Sequence, residues 1–393
     1  MFLVPADYDA LRRKGVEHMI LERDEHGFFE RVVTVHPIAD RTQDIELNPV
    51  HRLIEFDLGR ALSSHTHPIE RLALPFRGLA AVLKVLRISR TERIDLIRAT
   101  DPYLMGVLAW VLARVLRRPF CVSVHADYDK NFELTPKTGW SGFLRRMSAW
   151  CPRFVFNRAD LILPVRRHLA DWAESRGASP SRIRIIPHGI DLKIFNRAAP
   201  AGDCAVWTGD AGRRIISFAG RLSRYNYIHD VLNVAERVLA IREVVFVIMG
   251  DGEERAALEK RIAASPLLTK GVRLVGARPY ADVASLRRCS AVSLCLMGGY
   301  SVLEACAAGS AVIAYDVDWH REIIVDGQTG FLVREGDIET LVAAVLRLLD
   351  DPPLARRLGA QAQAFVAAHH DETNTSKIKR DCYDYLLRLR QAA

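Results

Sequence analysis

Compact apolar runs alternate along the chain with longer stretches whose apolar residues recur every three or four positions. Phe2–Val4, Arg31–His36, Leu96–Ala99, Phe120–His125, Leu161–Val165 and Ile183–Ile186 read as strands. So do Ile215–Ala219, Val244–Met249, Val272–Val275, Val292–Leu296 and Ala311–Tyr315. Val16–Gly27, Arg77–Arg90 and Tyr103–Leu116 carry helical spacing. Runs that stay apolar at successive positions fit strands buried on both faces, hence parallel sheets covered by helices on either side. The rhythm fails between Asp191 and Arg214, an Ala/Gly/Pro/Asp-rich segment that reads as a linker. The expectation is an α/β chain with two Rossmann-like, doubly wound domains facing a central cleft. Residues 1–195 form one domain and 196–372 the other, with ligands outside the carboxyl ends of the strands. No repeat is visible at a period of 20–50 residues.

At 393 residues, 49% hydrophobic and 26% charged, the composition is that of a globular chain and excludes a disordered or collagen-like one. The net charge of +8 narrows the partners, because all of the basic excess falls in residues 1–200. That half is the likelier face for an anionic partner: nucleic acid, an anionic membrane or a phosphorylated substrate. The seven cysteines are scattered, odd in number and without a C-x-x-C pair. That argues against a disulfide framework and a zinc site, and for a reducing cytosol. The opening MFLVPADYDALRRKG lacks the apolar stretch of a signal peptide, and no apolar run reaches the roughly 20 residues of a membrane span.

The richest candidate chemistry lies between Val292 and Val333. A strand leads into Met297-Gly298-Gly299-Tyr300-Ser301 and then a helix carrying Glu304. A glycine-rich loop at a helix N-terminus offers free N–H groups and the positive end of the helix dipole, which suits a diphosphate. Ser301 is placed to cap that helix. Glu304, one turn in, is placed to accept hydrogen bonds from a vicinal diol such as a ribose. A purely structural turn with an exposed Glu accounts for the same pattern. Arg221 follows strand Ile215–Ala219 and Gly220, where a guanidinium fork would meet phosphate oxygens. Gly250-Asp251-Gly252 marks a further tight turn, weak evidence alone.

Taken in order, G-R-L, M-G-D-G, V-R-L-V-G, L-E-A-x-A-A-G-x-A-V-I-A and D-G-Q-T-G-F-L-V resemble the C-terminal half of glycosyltransferase family 4, the large retaining family of GT-B fold. The first half is similar too. Lys14-Gly15-Val16-Glu17-His18 resembles the family's glycine loop, Val122-Ser123-Val124-His125 its strand ending in an active-site histidine, and Ile186-Pro187-His188-Gly189-Ile190-Asp191 the segment before its linker.

The resemblance implies a metal-independent glycosyl transfer from a nucleotide-diphosphate sugar to an acceptor hydroxyl, with no cofactor. It implies Arg221 on the donor diphosphate, Glu304 on the ribose, and Gly298, Gly299, Tyr300 and Ser301 around sugar or phosphate. It further implies His125 near the donor sugar, Gly15 and Gly220 allowing close approach, Gly250 in the donor site, and the nucleobase near Gly276 and Arg278. A final helix over about 373–393 would return to the N-terminal domain. The expected acceptor is lipid-linked or anionic, with peripheral contact to an anionic membrane at the inner face and a role in bacterial polysaccharide or glycoconjugate synthesis. Nucleic acid is not expected.

Three positions depart from the family pattern. Leu296 stands where the family has the first of two glutamates, Asn226 where it has a lysine, with Arg224 as a candidate substitute, and Lys14 where it has a glycine. They keep open a catalytically silent nucleotide-sugar binder, and the double-Rossmann shape keeps open a nucleotide-sugar epimerase. Asp316-x-Asp318 and Asp127-x-Asp129 resemble metal pairs that belong to another glycosyltransferase fold, and the histidines His36, His65, His67 and His188 match no metal template. Arg117-Arg118, Arg145-Arg146 and Arg166-Arg167 read as solvated faces or contacts to membrane or diphosphate-lipid. On Arg77–Arg90 the apolar residues Leu79, Val82, Leu83 and Leu86 serve either packing on the sheet or docking on an anionic bilayer.

Overall fold

A computed structural model describes residues 1–13, 17–58, 68–126, 150–196, 204–209, 212–297, 299–317 and 319–391. Two compact units emerge, Met1–Pro187 with Ser376–Ala393, and His188–Thr375. The expected boundary at residue 195 thus moves to Pro187, because Ile190 and Phe195 pack into the core of the second unit with Val302, Cys306 and Trp319. Much of the presumed linker is ordered. Leu192–Asn196 and Ala205–Thr208 are helical, and Cys204 forms a disulfide with Cys289. The reading against disulfides is corrected here: two cysteines separated by 85 positions lie 5.4 Å apart at Cα, a proximity set by the fold and absent from local spacing.

In the first unit, strands β1 (Phe2–Leu3), β2 (Val32–His36), β3 (Ile38–Glu46), β4 (His51–Asp57), β5 (Ile97–Ala99), β6 (Phe120–Val124) and β7 (Leu161–Pro164) form one sheet in the order β3-β4-β2-β1-β5-β6-β7. All neighbours are parallel except β3 with β4. β2 and β6 are buried at every position, which is why they read as continuous apolar runs. β3 is an edge strand with mostly polar, outward residues, so it shows no compact apolar run in the sequence. Ile183–Ile186 is not a strand. Arg184 and Ile186 donate to the carbonyls of Ile162 and Pro164, but Pro164 has no N–H to return. The helix expected over Val16–Gly27 is only His18–Leu21 plus a 3-10 turn at Glu22–Asp24. The Asp24 carboxylate accepts the N–H groups of His26 and Gly27 and turns the chain away.

Helix α1 (Pro68–Thr91) buries Ala81, Val85 and Ile88, so its core-facing stripe differs from the expected one. Phe76, Leu79 and Leu83 are exposed, at helical spacing. Helix α2 (Leu104–Leu116) buries Met105, Ala109, Leu112 and Ala113 against the sheet. The C-terminal helix, Glu372–Gln391, belongs to the first unit from Ser376, where Cys382, Tyr383 and Leu386 join Leu96, Cys121, Leu161 and Leu163 in one cluster. Tyr383 also accepts a hydrogen bond from the half-buried Arg98 of β5, and its ring centre lies 6.0 Å from that of Phe28 and 5.1 Å from that of Phe29.

The second unit has an all-parallel sheet of β8 (Arg214–Ala219), β9 (Val244–Met249), β10 (Val272–Gly276), β11 (Ser290–Leu294), β12 (Ala311–Tyr315) and β13 (Phe331–Val333), ordered β10-β9-β8-β11-β12-β13. The chain winds outward from β8 in one direction and from β11 in the other. The order reverses between β8 and β11, which makes their carboxyl ends the topological switch point. Helix α3 (Ile228–Leu239) buries Val231, Leu232, Ala235 and Val238, the three-and-four spacing that its sequence carries. None of the described helices is long and apolar enough to cross a membrane.

Candidate active site

At the switch point of the second unit, β8 leads into Gly220-Arg221 and β11 into Cys295-Leu296. Helix α5 (Gly299–Ala307) starts just beyond β11 and follows α4 (Tyr280–Cys289) in the chain. Arg221 is exposed, and its Nε lies 3.0 Å from a Glu253 carboxylate oxygen. Asn226 Nδ2 donates to the Arg221 carbonyl at 2.8 Å. Thus Asn226 braces the loop that carries Arg221 and adds no positive charge. Arg224 pairs instead with Glu254 at 3.0 Å.

Gly250 and Gly252 serve this loop through packing. Gly250 has φ 140°, and a Cβ there would lie 1.9 Å from the Gly220 carbonyl oxygen; one at Gly252 would lie 2.4 Å from that of Leu222. The two glycines let the turn after β9 abut the G-R-L turn, backbone to backbone. Gly250 also donates to the Gly276 carbonyl at 2.9 Å, and Arg278 Nε donates to that of Val275 at 3.0 Å. The expected nucleobase segment is therefore linked to the Arg221 loop through one turn.

Ser301 does not cap α5, since the helix begins two residues earlier at Gly299. Its hydroxyl donates to the Ala219 carbonyl at 3.1 Å and accepts from Arg287 Nη2 at 2.7 Å. Arg287, on α4, is fully buried. It also donates to the Ala219 carbonyl at 3.3 Å and to Ser217 Oγ at 3.4 Å. It ties the end of β8 to the first turn of α5. Sequence reading passes over Arg287 because it sits in the helical pair Arg287-Arg288, which looks like a solvated face. The signal in retrospect is its place on the apolar side of α4, beside Ala284 and Leu286.

Glu304 is half-buried, one turn into α5. Burial raises its carboxyl above the usual range, and the Arg287 guanidinium opposes that rise. The phenol of Tyr280 is pushed up by burial and by the charge of Glu304. Tyr300 is exposed, its ring 5.2 Å from that of His188. Leu296 is fully buried in the sheet–helix core, so the position that carries the family's first glutamate faces the core here. Gly299 is the first residue of α5 and Gly298 lies outside the described residues.

In the first unit, His125 directly follows β6 and is half-buried. Gly15 and Lys14 lie outside the described residues, as do Asp127, Asp129, His65, His67, Arg145, Arg146 and Asp318. Asp316 is ion-paired with Arg321. Asp101, just past β5 and beside the β1–β5 switch point, escapes sequence reading. It accepts the Tyr103 N–H at 2.8 Å, and burial pushes its carboxyl up to about 6. The buried His36 meets Glu55 at 2.8 Å inside the sheet, a structural pair.

The glycosyltransferase family 4 model matches residues 8–194, and that of the group 1 glycosyl transferases matches residues 206–365. Together they span both units. The chain belongs to glycosyltransferase family 4. It is a glycosyltransferase of GT-B fold. Among curated relatives it is 28% identical to the 2-deoxystreptamine glucosyltransferase of Streptomyces kanamyceticus, over 84% of this chain and 87% of that one. It is 25% identical to a D-inositol 3-phosphate glycosyltransferase of Corynebacterium efficiens, over 90% and 82%. Among solved structures, Anabaena HepE in complex with UDP superposes with a TM-score of 0.73 at 17% identity, covering 98% of this chain and 99% of that one. Sucrose-phosphate synthase of Thermosynechococcus elongatus does so with a TM-score of 0.74 at 20% identity, covering 99% of each.

Proposed function

We propose that this glycosyltransferase moves a sugar from a nucleoside diphosphate sugar to an acceptor hydroxyl with retention at the anomeric carbon, using no metal. The observation that carries this is the single frame at the β8–β11 switch point: Arg221, the first turn of α5 and Glu304, held together by Ser301 and Arg287. Arg221 and the N–H groups of α5 meet the diphosphate, and Glu304 accepts from the ribose hydroxyls. The nucleobase lies at Gly276–Arg278. Relatives bear on the donor class: the Anabaena protein has been solved with UDP and with UDP-glucose.

In the reaction the bond from the anomeric carbon to the diphosphate oxygen breaks, and its electron pair leaves with the diphosphate. The acceptor oxygen bonds the anomeric carbon and its proton passes to the departing phosphate oxygen. Donors aimed at that developing charge supply the largest catalytic effect. The first unit takes the acceptor, and His125 after β6 is its candidate catalytic residue. The basic first unit and the exposed Phe76, Leu79 and Leu83 of α1 support an anionic or lipid-linked acceptor met at the cytoplasmic face of a membrane, in polysaccharide or glycoconjugate synthesis.

A screen of nucleotide sugars by calorimetry, followed by transfer assays on lipid-linked acceptors, tests this reading. Failure of every nucleoside diphosphate to bind would sink it. A second reading, donor binding without transfer, is favoured by Leu296 in the core and Asn226 on the Arg221 carbonyl. Bound donor that is neither transferred nor hydrolysed would mark it.

A further inference from the structure

The first unit carries a cavity of about 850 Å³ that the glycosyl-transfer reading leaves unused. It opens at the C-terminal end of α2 and the start of β6. Arg114, Arg117, Arg118 and Arg158 line it, against the single acid Asp160. Pro119 and Phe120 also line it, at the opposite end of β6 from His125, so the length of that strand, about 16 Å, separates the two.

Cations are ordinary at a helix C-terminus, but the dipole there amounts to only about half a charge. Three arginines exceed it, and Arg158 comes from a different element, after the helix at 150–156. Two of the four are held by neutral groups. Arg118 Nε donates to the Ile94 carbonyl at 2.8 Å, with Asp95 at the 4.0 Å limit of an ion pair. Arg158 lies 4.0 Å from the Phe154 ring centre and 5.8 Å from that of Trp110, and donates to the Phe154 carbonyl at 3.2 Å. Among the described residues no acidic side chain pairs with Arg114 or Arg117. Arg117 also holds a left-handed backbone, φ 53°, at the position after α2 where glycine is the unstrained choice. The chain keeps a guanidinium in the cavity lining at a conformational cost of order 1 kcal/mol.

We propose that this cavity binds a phosphoryl group, as phosphomonoester or diphosphate, with Arg114, Arg117 and Arg158 as its ligands. Forked guanidiniums match phosphate oxygens, and a cavity of this size holds more than an inorganic ion. A free phosphorylated molecule and a phospholipid headgroup share that chemistry, and two assays separate them. In the first, the full chain is titrated with inorganic pyrophosphate in excess UDP, and again in the Arg221→Ala background, so that the second unit does not contribute. In the second, flotation compares phosphatidylcholine vesicles with vesicles also containing phosphatidic acid.

The test variant is Arg114→Gln with Arg117→Gly. It removes two guanidiniums and relieves the positive φ, so it should melt no lower than the parent, and Arg158→Gln is an independent check. Binding of pyrophosphate, weakened at least about tenfold in the variant, supports the site with a soluble ligand. Binding only to phosphatidic acid vesicles, lost in the variant, supports it with a lipid. Binding to neither probe, or equal binding by folded parent and variants, overturns the proposal.

Discussion

Replacing Arg287 by methionine should couple the proposed nucleotide site to pH. In the parent, the buried Arg287 is the charge that opposes the upward push of burial on Glu304. Methionine fills similar volume without that charge. Ser301 keeps its bond to the Ala219 carbonyl and Ser217 keeps Ser293 at 3.1 Å, so few groups are orphaned and the stability loss should be about 1–2 kcal/mol. Glu304, however, loses its opposing charge and stays protonated to higher pH. A protonated carboxyl accepts hydrogen bonds from a ribose poorly. Losing one or two charge-assisted bonds of about 1.5–3 kcal/mol each lowers affinity by about tenfold or more where the parent is ionised. The sign follows: in Arg287→Met, nucleoside diphosphate affinity should rise with pH, and its midpoint should lie above that of the parent. Calorimetric titration from about pH 5 to about pH 8 reads this, with thermal melting as the check on folding. Arg287→Lys, which keeps the charge, should restore the parent profile. A folded Arg287→Met protein whose affinity follows the parent at every pH would refute the coupling.

Other consequences are equally direct. Arg221→Ala should lose about 2–4 kcal/mol of transition-state stabilisation, read as kcat/KM with a verified donor. Gly250→Ala should destabilise the second unit by at least about 3 kcal/mol in chemical denaturation, because the added carbon overlaps the Gly220 carbonyl. Asp101, raised to about 6 from 3.8, binds a proton in the folded state that the unfolded chain has released. Stability of the parent should therefore fall as pH rises from about 4 to about 6, and Asp101→Asn should remove about 1–3 kcal/mol of that decline in urea melts. Tyr383→Phe, which takes a partner from the half-buried Arg98, should cost the first unit about 1–3 kcal/mol, most visible as earlier loss of the C-terminal helix in hydrogen exchange.

What the sequence determined by itself is what local periodicity and local turns encode. The apolar runs of β2, β6, β8, β9 and β12 mark parallel strands because both faces of each are covered, and covering leaves no alternation to misread. The ordered turns G-R-L, M-G-D-G and the glycine step into α5 likewise carry the resemblance to the second half of glycosyltransferase family 4, and at Gly250 and Gly252 the close backbone approach admits no other residue. Where competing local interactions decide, the reading fails. Asp24 captures two N–H groups and shortens a helix, and the polar edge strand β3 has no apolar face to betray it.

Tertiary structure alone decided the rest. Spacing does not bring Cys204 to Cys289, place Ile190 and Phe195 in the second core, or aim Leu296 inward and Asn226 onto a carbonyl. Nor does it lay Arg287 under Ser301, or gather Arg114, Arg117 and Arg158 round one cavity. These are contacts between residues distant in sequence or on separate elements. Their physical origin is the close packing of whole elements, which fixes the direction of each side chain only once every neighbour is in place.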